Sequence, residues 1–349
     1  MKFKQKFKLG TKTISKNTKP VLIAEISANH NGSLSTAKKL MLSAKKNGAD
    51  FVKLQTYEAD TMTFKTNKKD FIIEDGLWKG QSLWELYDKA KTPFAWQKEL
   101  FDYAKEINIQ CFSTPFDHSA LALLEKIGCP FYKISSFENQ DLELIKKIAK
   151  TKKPVIISTG ITKINDLEKS IQTIYKYGNK KIIILYCVSS YPAKYKDFNI
   201  KNLKEIQKKF NCLVGLSDHC NDNLVGISAI NHGAVIFEKH FALENQKKGC
   251  DLDFSKKGKE LLKYKKDLEN TWIINNNNKQ ISVDERKNLK FKRSIYTSKN
   301  IKKGDLLTKN NLRCVRPGFG LSPLEFSKVI GKVAKRNISK FTALNYKMF

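Results

Sequence analysis

Apolar positions in this chain gather into eight short runs: VLIAEIS (21–27), FVKLQT (51–56), IQCFSTP (109–115), FYKISS (131–136), PVIISTG (154–160), IIILYCVSS (182–190), CLVGLSDH (212–219) and AVIFEKH (234–240). Near-continuous runs of this length read as strands buried on both faces, as in a parallel sheet. Most are separated by segments with apolar residues every three or four positions, the period of an amphipathic helix. SANHNGSLSTAKKLMLSAKKNGAD follows the first run, with Ser33 or Ser35 placed to cap a helix that Gly48 ends. NDLEKSIQTIYKYG and NLKEIQKKF repeat the pattern further on. Eight such units predict an α/β fold, a closed (β/α)8 TIM barrel.

Catalytic groups in such a barrel stand at the C-terminal ends of the strands, whereas the strand starts serve stability. Those ends carry Glu25, Lys53, Gln55, Thr114, Lys133, Ser136, Ser158, Ser189, Ser217, His219, Lys239 and His240. So many polar groups at equivalent places around one ring are hard to explain as satisfied core residues.

Two regions depart from the repeat. More than fifty residues separate the second and third runs, far beyond a normal crossover. The later part predicts a barrel helix; the earlier part carries Phe71, Trp78, Trp84 and Tyr87 and reads either as a packed excursion or as a loop covering a substrate. After the helical pattern KGKELLKYKKDLENTWII comes NNNNKQ (275–280), whose asparagines favour turns and solvated backbone. The expected organisation is a barrel over 1–274 with a short β-like N-terminal extension, a linker over 275–281, and a small domain over 282–349 with short β-runs broken by Lys-Gly, Asn and Pro-Gly turns.

The net charge of +31 invites a nucleic-acid function, but only five of the 65 basic residues are Arg and the lysines spread over every helical segment. That pattern lacks the Arg forks used for base readout, so no nucleic-acid partner is expected; a positive surface that attracts anionic substrates is. Seven cysteines without a CxxC pair argue against a zinc cluster or a disulfide framework. No apolar stretch suits a signal peptide or a membrane span, so a soluble cytoplasmic protein with no membrane partner is expected.

His219 and His240 end the seventh and eighth runs, neighbours in a barrel. One histidine alone is usually a core group, but two at adjacent strand ends can share one ion with open positions for water and substrate. Two nitrogens without a nearby cysteine suit Mn2+ or Mg2+, with Co2+ also compatible. Lys53 and Lys133 with Thr114, Ser136, Ser158, Ser189 and Ser217 suit a phosphate or carboxylate, although each serine could instead cap the following helix. Glu25, amid this positive charge, is expected to be ionised and is a candidate base.

The motifs AEISANHNG, GADFVKLQTY, CFSTPFD, YKISSFE, ISTGI, SSYPA, VGLSDH and FEKHF, followed by SIYTSKNIKKGDLLTKNNLRCVRPGFG, resemble the phosphoenolpyruvate-dependent sialic acid synthases, a TIM barrel followed by an antifreeze-like SAF domain. The match runs along nearly the whole chain. Within the family, KDFIIEDGLWKGQSLWELYDKAKTPFAWQ looks most like the bacterial pseudaminic acid synthases, which often feed flagellin glycosylation or surface polysaccharide. The resemblance implies metal-dependent condensation of phosphoenolpyruvate with 2,4-diacetamido-2,4,6-trideoxy-L-altrose, with C–O cleavage. It implies His219 and His240 as metal ligands and Glu25 as the residue handling the water proton. It further implies phosphoenolpyruvate binding by Lys53, Thr114, Lys133, Ser136, Ser158, Ser189 and Ser217. Gln55, Tyr191, Asp251 and Arg316 then lie on the sugar side, with Arg316 reaching the partner's site in a domain-swapped homodimer. Ser189 stands where neuraminate synthases carry Asn, and FSKKGKE (254–260) departs from the family's usual continuation after Asp251. The alternatives are a neuraminate or legionaminate synthase acting on a mannose-configured sugar, and a non-catalytic carbohydrate-binding relative.

Overall fold

The computed structural model describes residues 1–277 and 281–349. Two compact units divide it, Met1–Asn276 and Asn277–Phe349. The first opens with an antiparallel hairpin of β1 (Lys6–Leu9) and β2 (Lys12–Ser15). Leu9 and Ile14 are wholly buried, and the Thr11 amide donates to Gln110 Oε1 at 2.8 Å, at the start of a barrel strand. The hairpin therefore covers the strand-start end of the unit.

The eight apolar runs form β3 (Val21–Glu25), β4 (Phe51–Thr56), β5 (Gln110–Pro115), β6 (Tyr132–Ile134), β7 (Val155–Ser158), β8 (Ile182–Cys187), β9 (Leu213–Asp218) and β10 (Ala234–Ala242). Each pairs in parallel with the next, and β10 pairs with both β9 and β3, so the sheet closes. A two-residue strand, β11 (Lys256–Lys257), pairs with the end of β10.

Around the barrel run α1 (Leu34–Lys46), α2 (Ala59–Met62), α3 (Leu83–Ala90), α4 (Phe94–Glu106), α5 (His118–Lys126), α6 (Leu142–Lys150), α7 (Ile164–Lys176), α8 (Asn202–Phe210), α9 (Leu224–Asn231) and α10 (Lys259–Asn276). Ser33, not Ser35, caps α1 by accepting from the Thr36 amide. No described helix is long and apolar enough to cross a membrane.

Side chains alternate along a strand, so each strand alternately feeds the barrel interior and the helix layer. Inside, Phe51, Phe112 and Phe131 pack with ring centroids 4.2–6.2 Å apart. Two residues further along the same strands stand Lys53, Thr114 and Lys133. The apolar layer is thus a floor for a polar one. Gly215 belongs to the floor: an added Cβ would lie 2.3 Å from Ile236 O and 2.7 Å from Leu185 Cδ2.

The long excursion contains α2, α3 and α4. Leu100, Phe101 and Ala104 bury one face of α4 against the barrel, as a barrel helix should. Before α3, Ile72 bridges antiparallel to Ser82, which then caps α3 through a reciprocal bond with Glu85.

Of the expected linker, Asn275 and Asn276 complete α10: the Asn275 amide donates to Asn231 Oδ1 at 2.6 Å and Asn276 to Trp272 O at 2.9 Å. Its residues 278–280 lie outside the described residues. In the second unit, β12 (Ser294–Thr297) and β13 (Leu312–Val315) pair antiparallel around a core of Ile295, Ile301, Leu307, Leu312, Val329, Ala334, Ile338, Leu344 and Met348. Its short strands agree with the broken β-runs of the sequence.

Candidate active site

The polar layer is a ladder of alternating charge. Glu25 Oε2 lies 2.6 Å from Lys53 Nζ, Lys53 lies 3.1 Å from Glu238 Oε1, and Lys133 lies 3.7 Å from the same oxygen. All four side chains are almost completely buried. Burial works against the charge of Lys53, but Glu238 and Glu25 outweigh it and hold the ammonium on. Burial would raise the Glu238 carboxyl, yet Lys133 and Lys53 bring it down to about 2. Glu25 goes the other way: burial pushes its carboxyl up and Lys53 only partly opposes this. The sequence suggested a plainly ionised Glu25. Inside the barrel it is the carboxylate of the pair with the stronger hold on a proton, because complete desolvation outweighs the neighbouring cation.

Hydroxyls fill the gaps of the ladder. Thr114 Oγ1 is 3.4 Å from Lys53 Nζ, and Ser217 Oγ donates to Glu238 at 3.2 Å. Ser136 and Ser189 hydroxyls meet at 3.0 Å. Ser158 Oγ is buried without a hydrogen-bond partner, an expensive state that an anion would relieve. None of these serines caps a helix: α6 takes its cap from Asp141, while α7, α8 and α9 have Lys163, Lys201 and Asn223 at their N-cap positions, none making a side-chain cap. Gly160, at φ +55°, lets the loop after β7 approach; a Cβ there would sit 2.3 Å from Ser136 Cβ and 2.8 Å from Ser189 Oγ.

His219 and His240 face each other with ring centroids 5.5 Å apart. The His219 Nδ1–H donates to Val188 O at 2.8 Å, which leaves its Nε2 lone pair free. Burial, then the neighbouring His240, lowers His219 to about 3, so it is the neutral imidazole that ligation requires. His240 Nδ1 is buried and has no hydrogen-bond partner; Asp251 Oδ2 lies 3.6 Å away, beyond hydrogen-bond distance. This donor set fits a divalent ion. Among the described residues no cluster of three or more His, Cys, Asp or Glu is arranged for a metal. A two-nitrogen site would leave the remaining positions to water and substrate.

On the far side of the histidines, Tyr191 packs on His219 at 4.4 Å and on Phe254 at 5.0 Å. Gln55 shares the inward face of Lys53 two residues on, half-buried, and its carbonyl accepts from Gln97 at 3.3 Å. Arg316 belongs to the second unit and is exposed there. All the other sequence-derived candidates named for a role gather in the first unit at the strand-end face.

Lys239 is the exception within the ring. It turns outward, wholly buried between strand and helix, 3.4 Å from Asp218 Oδ1 and bonded to Cys220 O. Alternation explains this, since Lys239 adjoins His240 and must face the opposite way. The same rule could have found Glu238, which the sequence reading missed: it stands two residues before His240 on the inner face. Glu138 was missed too. Burial pushes its carboxyl up to about 7 against the pull of Lys133, and it accepts from Ser135.

Comparison with known proteins agrees with this architecture. Residues 40–280 match the NeuB family and residues 292–349 the SAF domain. The chain belongs to the NeuB family, a barrel synthase followed by a SAF domain. It is 40% identical to the pseudaminic acid synthase of Campylobacter jejuni subsp. jejuni serotype O:23/36 (strain 81-176), over 93% of this chain and 95% of that one. It is 39% identical to the pseudaminic acid synthase of Helicobacter pylori (strain ATCC 700392 / 26695), over 93% and 96% of the two chains. The crystal structure of N-acetylneuraminic acid synthetase from Leptospira borgpetersenii serovar Hardjo-bovis in complex with citrate superposes with a TM-score of 0.72 at 27% identity, covering 82% of this chain and 96% of that one.

Proposed function

We propose that the chain condenses phosphoenolpyruvate with the open-chain form of 2,4-diacetamido-2,4,6-trideoxy-L-altrose, giving pseudaminic acid and phosphate. The observation that carries the chemistry is the meeting, in one barrel mouth, of two buried lysines, the unpartnered Ser158 hydroxyl and the histidine pair. The sugar follows from the 39–40% identity to synthases of that name.

Lys53 and Lys133 hold the phosphate and carboxylate, with Thr114, Ser136, Ser158, Ser189 and Ser217 as hydroxyl donors. Gln55, Tyr191 and Asp251 orient the sugar, and the partner subunit's Arg316 completes that side. His219 and His240 would hold a Mn2+ or Mg2+ ion, which would supply Lewis-acid polarisation at the aldehyde oxygen. The C2=C3 π pair of phosphoenolpyruvate forms a bond from C3 to the aldehyde carbon, whose oxygen becomes a hydroxyl by taking up a proton; water adds at C2, and the C2–O bond to phosphate breaks to leave the C2 ketone. Glu25 takes the proton of that water. Its raised carboxyl makes it a better base near neutrality than an ordinary glutamate.

Exposed apolar side chains ring the mouth at successive loops: Phe137 at 63%, Ile161 at 76%, Tyr195 at 55% and Leu224 at 61%. Such a rim supports a homodimer that covers the site. Seven free cysteines and a phosphoenolpyruvate substrate support a cytoplasmic setting. The product would then supply glycosylation of flagellin or a surface polysaccharide.

The test offers the altrose sugar and mannose-configured acetamido sugars in competition, with phosphoenolpyruvate and Mn2+, and identifies the product by mass and NMR. Pseudaminic acid with stoichiometric phosphate supports the proposal. A neuraminate or legionaminate product overturns the choice of sugar, and no phosphate release with any sugar overturns the enzyme.

A further inference from the structure

The excursion before α3 brings one side chain against the two loops that flank the histidine pair. Its tip is a tight turn whose feet are pinned by the Ile72–Ser82 bridge, by the Ile73 amide donating to Gln81 O at 2.9 Å and by the Gly80 amide donating to Ile73 O at 2.8 Å. From this tip Trp78 Nε1–H donates to Cys250 O at 3.3 Å, the residue before Asp251. Its ring also packs against Tyr191 at 6.2 Å, and Tyr191 lies on His219. Trp78 therefore ties together the two loops that flank the histidines, touching Tyr191 directly and Asp251 through its neighbour. It remains half-buried, with part of the indole free.

The chemistry of that free surface is decided by the bond to Cys250. An indole has a single donor, and here the main chain takes it. What is left is hydrocarbon and π-face. A methyl group packs on such a face with gain, whereas a hydroxyl buried there loses its water partners without replacement. Tyr191 stands between His219 and Trp78, so a sugar held by its aldehyde end at the histidines and lying along Tyr191 would bring its far end to this wall.

We propose that Trp78 is a specificity-determining residue, the wall against which the terminal carbon of the sugar packs, selecting a 6-deoxy sugar over its 6-hydroxy counterpart. This rests on the synthase function proposed above. An apolar wall rejects an added hydroxyl only modestly, by up to about 100-fold, so discrimination of about 10- to 100-fold in kcat/KM is expected.

The full-length Mn2+-loaded protein is assayed with 2,4-diacetamido-2,4,6-trideoxy-L-altrose and with 2,4-diacetamido-2,4-dideoxy-L-altrose, which differ only by the hydroxyl at C6. Trp78→Ala should bring the ratio of their kcat/KM values to within about threefold of unity, following the loss of the 10- to 100-fold discrimination, while the KM for phosphoenolpyruvate is unchanged. Trp78→His, which keeps a ring and adds an acceptor nitrogen, should erode the ratio in the same direction and serves if the alanine variant fails to fold. A wild-type ratio in the folded variant, or an equal rise in the KM for phosphoenolpyruvate, overturns the assignment. If the wild type turns over only mannose-configured sugars, the choice of sugar fails. The 6-deoxy and 6-hydroxy pair of that series then tests Trp78 by the same ratio.

Discussion

Lys239 and Asp218 are Cα partners on β10 and β9, and their side chains meet 3.4 Å apart on the outer surface of the barrel wall, both wholly inaccessible to solvent. Tyr264 from α10 donates to the other Asp218 oxygen at 2.8 Å. Each member of the pair adjoins a histidine of the site, and alternation turns one outward as it turns the other inward.

Removing only the cation should therefore be severe. Lys239→Met leaves Asp218 buried without its counter-cation, at an expected cost of about 3–5 kcal/mol. The double variant Lys239→Met/Asp218→Asn should recover a large part of it. Urea unfolding measures both, and a single variant within about 1 kcal/mol of wild type, the worth of an exposed pair, would show the buried pair to be idle.

His240→Ala removes a buried nitrogen that has no hydrogen-bond partner in the protein. Mn2+ affinity should fall by more than about 100-fold, since loss of supporting residues alone costs 10- to 100-fold. Calorimetric titration of the metal-free protein reads this directly, and unchanged affinity would remove His240 from the ligand set.

Gly160→Ala puts a methyl against Ser136 at a backbone φ of +55°. The loop must move or strain by about 1–3 kcal/mol, so the KM for phosphoenolpyruvate should rise about tenfold, with the KM for the sugar little changed. Steady-state kinetics with each substrate varied in turn separates the two.

Glu138 gives stability a pH dependence. Its carboxyl stands at 4.5 when unfolded and about 7 when folded, so the neutral form is favoured by folding. The resulting stabilisation is complete below pH 4.5 and is lost as pH rises through 7. Thermal unfolding of wild type should weaken across that window more than that of Glu138→Gln. Parallel curves would assign the carboxyl an ordinary pKa.

Arg316→Ala should raise the KM for the sugar about tenfold, the loss of about 1.4 kcal/mol, and leave the KM for phosphoenolpyruvate unchanged. Equal losses on both substrates would contradict a role confined to the sugar side.

The barrel was legible because parallel strands buried on both faces leave continuous apolar runs, and the strand-end rule then located Lys53, Thr114, Lys133, Ser158, His219 and His240. Misplacing Lys239 and overlooking Glu238 share one cause. Position at a strand end was used without the two-residue alternation that decides which side of the wall a residue faces. Trp78 was visible as an unusual residue, but its partner Cys250 lies far away in sequence and no local pattern links them. The raised carboxyl of Glu25 could not be read either, because desolvation depends on complete burial in three dimensions.

Under the proposed function, the compensated ladder from Glu25 to Lys133 would separate two stages of substrate capture. Outside, the +31 net charge creates a field that draws anions inward and that salt screens over about 10 Å. Within the mouth, Glu25 and Glu238 already answer Lys53 and Lys133, so an arriving phosphate meets shaped donors rather than a surplus of positive charge. Added salt should slow encounter with phosphoenolpyruvate and leave its rate of escape nearly untouched.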